Sequence, residues 1–328
     1  MTNVAAGLML SALLAGAQPP GATPLMTRPA PPPPPASSTQ PPAPDDQADA
    51  PADEGPGATV SLRPIDLRMT VSVMVNGAGP FRFIVDSGAT RTVVSRRLAT
   101  LLGLPSAGTA TLHSVGGESE VDTVRIGALA LTGLPSQAVV APVLEEENLG
   151  AAGILGIDML ENKKVVIDLV ANRMSVEPSG RGRPRATSGE IIVTARRRYG
   201  QLVLADADAN GQRIYAVVDT GSNVTIGNIA LRDRLVRRRR ADTASMEIVD
   251  VAGHVVIGQY ARINGIRIGP AKISNATIAF SDAHAFARFG LDTKPSMLLG
   301  MDLLRGFRRV SIDFRNRTVT FSAPELRG

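Results

Sequence analysis

The chain has 328 residues, 44% of them hydrophobic, with 35 Lys and Arg against 30 Asp and Glu for a net charge of +5. That suits a globular protein of about two domains, and frequent β-branched residues, Gly and Pro with few long helical patterns predict an all-β architecture. There is no cysteine, which excludes disulfides, thiolate metal sites, a cysteine nucleophile and a lipid-bearing N-terminal cysteine. The three histidines, His113, His254 and His284, are scattered without metal-ligand spacing, so the sequence predicts neither a structural zinc nor another metal or cofactor.

Residues 4–17 form an Ala/Leu-rich apolar run of about 14 residues that ends in Ala15-Gly16-Ala17, an A-x-A cleavage pattern. A membrane span needs roughly 20 residues, so residues 1–17 read as a signal peptide. No Lys or Arg precedes the run, and an uncleaved anchor or an apolar start without meaning are the alternatives. Either targeting reading makes the body periplasmic or secreted, and a cleaved signal leaves no stable membrane span. Residues 18–58 follow, with proline at every position of 31–35 and acids at Asp45, Asp46, Asp53 and Glu54. This composition cannot bury a core and reads as a disordered tether.

The folded part is expected from Thr59, as a first lobe over 59–177, a Gly/Pro/Arg-rich linker over 178–189 and a second lobe over 190–328. In the first lobe Asn76-Gly77 marks a tight hairpin. An apolar strand then runs Phe83-Ile84-Val85 into Asp86-Ser87-Gly88-Ala89-Thr90. Ser114-Val115-Gly116-Gly117-Glu118 reads as a hairpin tip, and Gly153-Ile154-Leu155-Gly156-Ile157-Asp158-Met159-Leu160 as a buried strand entering a short helix. Asp158, with Glu161 three positions later, has the look of a helix N-cap. The lobe closes on a hairpin turned at Asn172-Arg173.

The second lobe repeats this order. Asn210-Gly211 is its tight turn, and Ala216-Val217-Val218 leads into Asp219-Thr220-Gly221-Ser222-Asn223. An apparent short helix spans residues 228–236. Asp250-Val251-Ala252-Gly253-His254 is the second hairpin tip. Met297-Leu298-Leu299-Gly300-Met301-Asp302-Leu303-Leu304 matches the strand and helix, with Asp302 again read as a cap, and a hairpin turned at Asn316-Arg317 closes the lobe. Self-similarity at this length means two homologous lobes and not a solenoid. One acid at the same place in each can meet the other across an approximate two-fold axis, and paired carboxylates that share a proton can activate water.

Basic runs lie at Arg181, Arg183 and Arg185, at Arg196, Arg197 and Arg198, and at Arg237, Arg238, Arg239 and Arg240. They can attract an acidic partner, but no aromatic residues interleave with them, so they read as solvated charge and no nucleic-acid partner is expected. His113 and His254 flank the hairpin tips and read as solvated surface residues.

The two Asp-Ser/Thr-Gly-Ala/Ser phrases, each followed by an apolar pair and Gly, resemble the aspartic proteases. They look most like the retroviral-type (retropepsin-like) branch, in a bacterial, two-lobed single-chain form. The resemblance covers roughly 60–175 and 190–322. It implies two β-barrel lobes with the active site between them, and an aspartic endopeptidase that needs no metal, cofactor or covalent intermediate. Asp86 and Asp219 take the catalytic positions, Ser87 and Thr220 those whose hydroxyls reach across to the other lobe, and Gly88 and Gly221 those of close backbone approach. Gly156 and Gly300 brace the aspartate loops. Val115, Gly116, Gly117 and Val251, Ala252, Gly253 fall where two Gly-rich flaps would close, ordinary connecting hairpins being the alternative. Neither tip carries Tyr (the tyrosines are Tyr199, Tyr215 and Tyr260), which departs from the one-flap pepsin pattern. The implied partner is a protein or peptide substrate, met by a monomer whose lobes pair within one chain. The competing readings are an inactive, protease-like peptide-binding module of the cell envelope and a tethered scaffold.

Overall fold

The computed structural model describes residues 67–131, 134–182, 186, 189–198, 201–204, 207–236 and 244–322, with the backbone of Gly7–Met9 and Leu13–Leu14. The 18–58 tether, most of the 1–17 signal segment, part of the 178–189 linker, Tyr199 and the arginines of 237–240 lie outside the described residues.

The first lobe comprises β1 (Thr70–Val75), β2 (Ala78–Val85), β3 (Val93–Ser95), α1 (Arg96–Leu101), β4 (Ser106–His113), β5 (Glu118–Leu131), β6 (Gln137–Leu144), α2 (Glu146–Leu149), β7 (Gly153–Leu155), α3 (Ile157–Leu160), β8 (Lys163–Asp168) and β9 (Arg173–Pro178). The second comprises β10 (Glu190–Arg198), β11 (Gln201–Leu204), β12 (Ala207–Ala209), β13 (Gln212–Arg213), β14 (Tyr215–Val218), β15 (Ile226–Gly227), α4 (Ile229–Val236), β16 (Ala244–Asp250), β17 (Val255–Ile268), β18 (Ala271–Phe280), α5 (His284–Arg288), β19 (Ser296–Leu299), α6 (Met301–Leu304), β20 (Arg309–Asp313) and β21 (Thr318–Ser322). The architecture is all-β, as the composition predicts. In the first lobe β5-β1-β2-β7-β3-β6 closes on itself through β5–β6 pairing into a barrel.

The tight turns form where Asn-Gly stands. Asn76 and Gly77 have φ of 50° and 83°, Asn210 and Gly211 of 49° and 78°, the two successive positive values that a two-residue hairpin turn demands. Each Asn side chain also accepts a backbone hydrogen bond from a strand of its own lobe, from Ala128 N (2.9 Å) and Gly265 N (3.0 Å). The strands leading to the two aspartates lie at the centre of each lobe. Phe83, Ile84 and Val85 are buried and run parallel to β7, while Ala216, Val217 and Val218 are buried and run parallel to β19. Continuous apolar runs suit strands covered on both faces.

The closing hairpins do not stay within their lobes. β8 pairs antiparallel with β20, with Val165 opposite Ile312 and Ile167 opposite Val310, so β10-β21-β20-β8-β9 is one shared sheet. An isolated hairpin leaves two edges of unpaired backbone groups; joining the hairpins removes one from each. The turn of the second hairpin also differs from the sequence reading. The left-handed position is Arg317 (φ 53°), the equivalent of Asn172 (φ 49°), and not Asn316. Asn316 instead donates through Nδ2 to Asp313 Oδ2 (2.9 Å) and Gly180 O (3.0 Å). The start of the linker is likewise held: Ser179 is buried and its Oγ donates to Asp313 Oδ1 at 2.8 Å. Among the described residues no helix is long and apolar enough to cross a membrane.

Candidate active site

Asp86 and Asp219 each sit one residue past a central strand, fixed by matching bonds from Asp86 N to Leu155 O and from Asp219 N to Leu299 O, both 3.0 Å. Both are buried. The two carboxyl groups adjoin: a Cβ added at Gly88 would lie within 3.0 Å of an oxygen of each. Asp86 Oδ1 also accepts from Gly88 N (2.6 Å) and Ala89 N (3.0 Å), and Asp219 Oδ1 from Gly221 N (3.1 Å). Asp86 Oδ2 is buried and receives no bond from a protein N–H or O–H donor, so a proton or a water molecule is what can satisfy it. The carboxylates meet only because both loops carry glycine. A Cβ on Gly221 would overlap the Asp86 carboxylate, and one on Gly88 would lie 2.8 Å from Asp219 Oδ1.

Burial, and next the charge of Asp219, push the Asp86 carboxyl well above the usual aspartate range, against the opposing pull of the Gly88 and Ala89 amides. Two close carboxylates cannot both ionise cheaply, so the pair favours a state with one proton between them.

The loops are locked by Ser87 and Thr220. Ser87 Oγ donates to Val218 O (2.8 Å) and accepts from Thr220 N (3.2 Å); Thr220 Oγ1 donates to Val85 O (2.7 Å) and accepts from Ser87 N (3.0 Å). Each hydroxyl thus satisfies buried backbone groups of the opposite lobe, using both its donor and its acceptor capacity.

Asp158 and Asp302 are not N-caps. The capping positions are Gly156 and Gly300, in extended conformation. Asp158 lies in the first turn and accepts from Thr92 N (2.9 Å) and Thr92 Oγ1 (2.8 Å), while Asp302 accepts from Thr225 N (3.0 Å) and Thr225 Oγ1 (2.6 Å). The same hydroxyls accept from Gly156 N (3.2 Å) and Gly300 N (3.0 Å). Each aspartate therefore ties its helix to the far end of the loop that carries Asp86 or Asp219. The sequence reading missed Thr92 and Thr225, although they stand at equal distance after the two motif aspartates. Gly156 and Gly300 pass close to that loop: a Cβ on Gly300 would lie 2.6 Å from the Val224 carbonyl carbon, and one on Gly156 would overlap the Arg91 backbone.

Residues 114–117 turn the β4–β5 hairpin and residues 251–254 turn β16–β17. Each tip places a valine in the core of the other lobe. Val115 is buried in the cluster that contains Val203, Val217, Ile226 and Ile248, and Val251 in the one that contains Ile84, Ala89, Leu112 and Ile154. Where the tips cross, Gly116 N donates to Asp250 Oδ2 (2.8 Å), and a Cβ on Gly116 would come 2.5 Å from His254 Cβ. The histidines are not free surface groups. His113 is only 4% exposed, beside Glu118 and His284, and His254 is within 3.1 Å of Ser114 Oγ and Asp250 Oδ2 and 3.0 Å of Ser119 Oγ. Glu118 and Asp250 lie on the same hairpin as His113 and His254 respectively, while His284, Ser114 and Ser119 come from the opposite hairpin or lobe, where local sequence gave no sign of them. Gly7–Met9 runs parallel to residues 248–250 of β16, and Leu13–Leu14 antiparallel to residues 112–113 of β4.

The raised Asp86 pKa sets a pH dependence of stability. Folded Asp86 keeps its proton to a higher pH than the unfolded chain, whose carboxyl titrates near 3.9. Its contribution to stability is therefore present at low pH and falls as pH rises through that window. Asp86→Asn should remove this fall. In urea titrations the variant gains on the wild type as pH rises above about 4; a difference that stays constant as pH rises would contradict the assignment.

The comparisons bear on the whole arrangement. A family model described as Aspartyl protease matches residues 71–159 and 205–303, once in each lobe and over more than half of the chain. Among solved structures, a retropepsin-like aspartic protease from Rickettsia conorii is similar at 22% identity and a TM-score of 0.31, over 41% of this chain and 91% of that one. Curated proteins give no match. The chain belongs to the aspartyl protease family.

Proposed function

We propose that the chain is an exported aspartic endopeptidase in which Asp86 and Asp219 together activate a water molecule. The observation that carries the reading is the buried, adjoining pair of carboxyl groups, one from each copy of the repeat, held by reciprocal Ser87 and Thr220 bonds. The ionised member of such a pair takes a proton from water, and the protonated member donates to the scissile carbonyl and then to the leaving amine. An extended peptide is the fitting substrate, because strand edges beside a cleft add backbone hydrogen bonds along its length. The backbone pairing of Gly7–Met9 with β16 and of Leu13–Leu14 with β4 supports this, since both hairpins take an extended partner there.

Asp86→Asn and Asp219→Asn should each lower cleavage of a denatured protein by at least 10²-fold, with the far-UV circular dichroism unchanged. Turnover above a tenth of wild type in either variant would refute the two-aspartate reading. Binding of peptide by the wild type without cleavage would favour the inactive module instead.

The active unit is one chain. Tethered lobes meet at an effective concentration near millimolar, so specific activity should stay flat on dilution to nanomolar protein. A mixture of Asp86→Asn and Asp219→Asn chains should stay inactive; recovery on mixing would show pairing between chains.

Export is tested by the N-terminus of protein recovered from the cell envelope, expected at or near Gln18. An intact Met1 on cytoplasmic protein would overturn it.

A further inference from the structure

We propose that His113, Glu118 and His284 form a binding site for a divalent transition metal of the zinc type, and that the bound ion latches the first hairpin tip onto the second lobe. The three donor atoms already converge. His113 Nδ1 is 3.0 Å from Glu118 Oε1 and 3.2 Å from His284 Nε2, and His284 Nε2 is 3.5 Å from Glu118 Oε1. Donors about 2.0–2.2 Å from a tetrahedral ion stand roughly 3.3–3.5 Å from one another, so the triangle is close to the size such an ion requires. Two imidazoles and one carboxylate supply three ligands and leave a fourth position for water. This donor set suits zinc, copper or nickel over calcium or magnesium, which prefer all-oxygen surroundings.

The placement gives the ion a mechanical role. His113 and Glu118 face each other across β4 and β5 in register, so the hairpin holds them as a unit next to its tip. His284 opens α5 in the second lobe, and its backbone N already donates to Val115 O at 2.8 Å. An ion held by all three would join the tip to the other lobe through side chains as well as backbone. The charges around the site narrow the choice of ion. Arg288, at the end of α5, opposes a cation and Glu118 offsets it, which favours an ion that bonds to nitrogen over one held by charge alone. Glu118 is half exposed and leaves a path from solvent.

The site is independent of the proteolytic reading and is tested without an activity assay. Wild-type protein, His284→Ala, Glu118→Gln and, as control, His254→Ala are titrated with zinc chloride by calorimetry and with cobalt(II) by visible absorption. The side chain of His284 is partly exposed, so its removal leaves no core cavity. The wild type and His254→Ala should bind one zinc per chain and give the intense bands of tetrahedral cobalt. His284→Ala should lose both signals, Glu118→Gln should bind more weakly, and calcium should not compete. Absence of saturable zinc binding in the wild type, or binding unchanged in His284→Ala, would overturn the site and leave a His–His–Glu hydrogen-bond cluster. Zinc should also slow amide exchange at residues 115–117 in the wild type and not in His284→Ala; binding without that slowing would overturn the latch.

Discussion

Two carboxylates in one buried pocket repel each other, and the rest of the structure answers to that repulsion. Unit charges about 4 Å apart at an effective dielectric of 20 interact by ~4 kcal/mol, whereas one hydrogen bond contributes about 1 kcal/mol net. No single bond could hold Asp86 against Asp219. The raised Asp86 pKa favours a state with one proton between the two, and several fixed groups act together to hold the pair. These are the backbone amides on each Oδ1, the crossed hydroxyls of Ser87 and Thr220, and the Thr92–Asp158 and Thr225–Asp302 ties behind each loop.

The same reciprocity recurs away from the aspartates. Ser87 closes backbone bonds of the second lobe and Thr220 those of the first. Val115 completes the core of the second lobe and Val251 that of the first. The closing hairpins merge into one sheet through β8 and β20. Each lobe therefore lacks something that only the other supplies: hydrogen-bond partners for the aspartate loop, a buried valine and a strand neighbour. An arrangement of this kind places the carboxyl pair where the two halves meet and resists their separation, since loosening one contact exposes buried polar groups in both.

What the sequence made legible was local and repeated. Asn76-Gly77 and Asn210-Gly211 determine their own turns. The phrases around Asp86 and Asp219 contain the aspartate, the hydroxyl and the glycine within three residues, so the dyad, its lock and its close approach were all visible in short stretches. Contacts between distant segments were not. Asp158 carries the signature of a cap, yet its partner Thr92 is 66 residues away, and the tie wins because it satisfies two donors at once. His113 and His284 are 171 residues apart, and the sequence showed them only as scattered histidines without metal-ligand spacing. Ser179 read as linker because its composition is that of a linker; the Asp313 carboxylate that buries it comes from the other end of the chain. Hairpin patterning likewise showed β8–β9 and β20–β21 without saying that their edges would pair.

The central claim is that Asp86 and Asp219 titrate as one coupled pair. The direct measurement is ¹³C NMR of the aspartate carboxyl groups across a pH titration, in the wild type and in Asp219→Asn. The account predicts that the pair titrates in two separated steps in the wild type, the upper one well above the usual aspartate range, and that Asp219→Asn leaves a single step at lower pH than that upper one. Two independent titrations near the ordinary aspartate value, with Asp86 unmoved by the loss of Asp219, would contradict it.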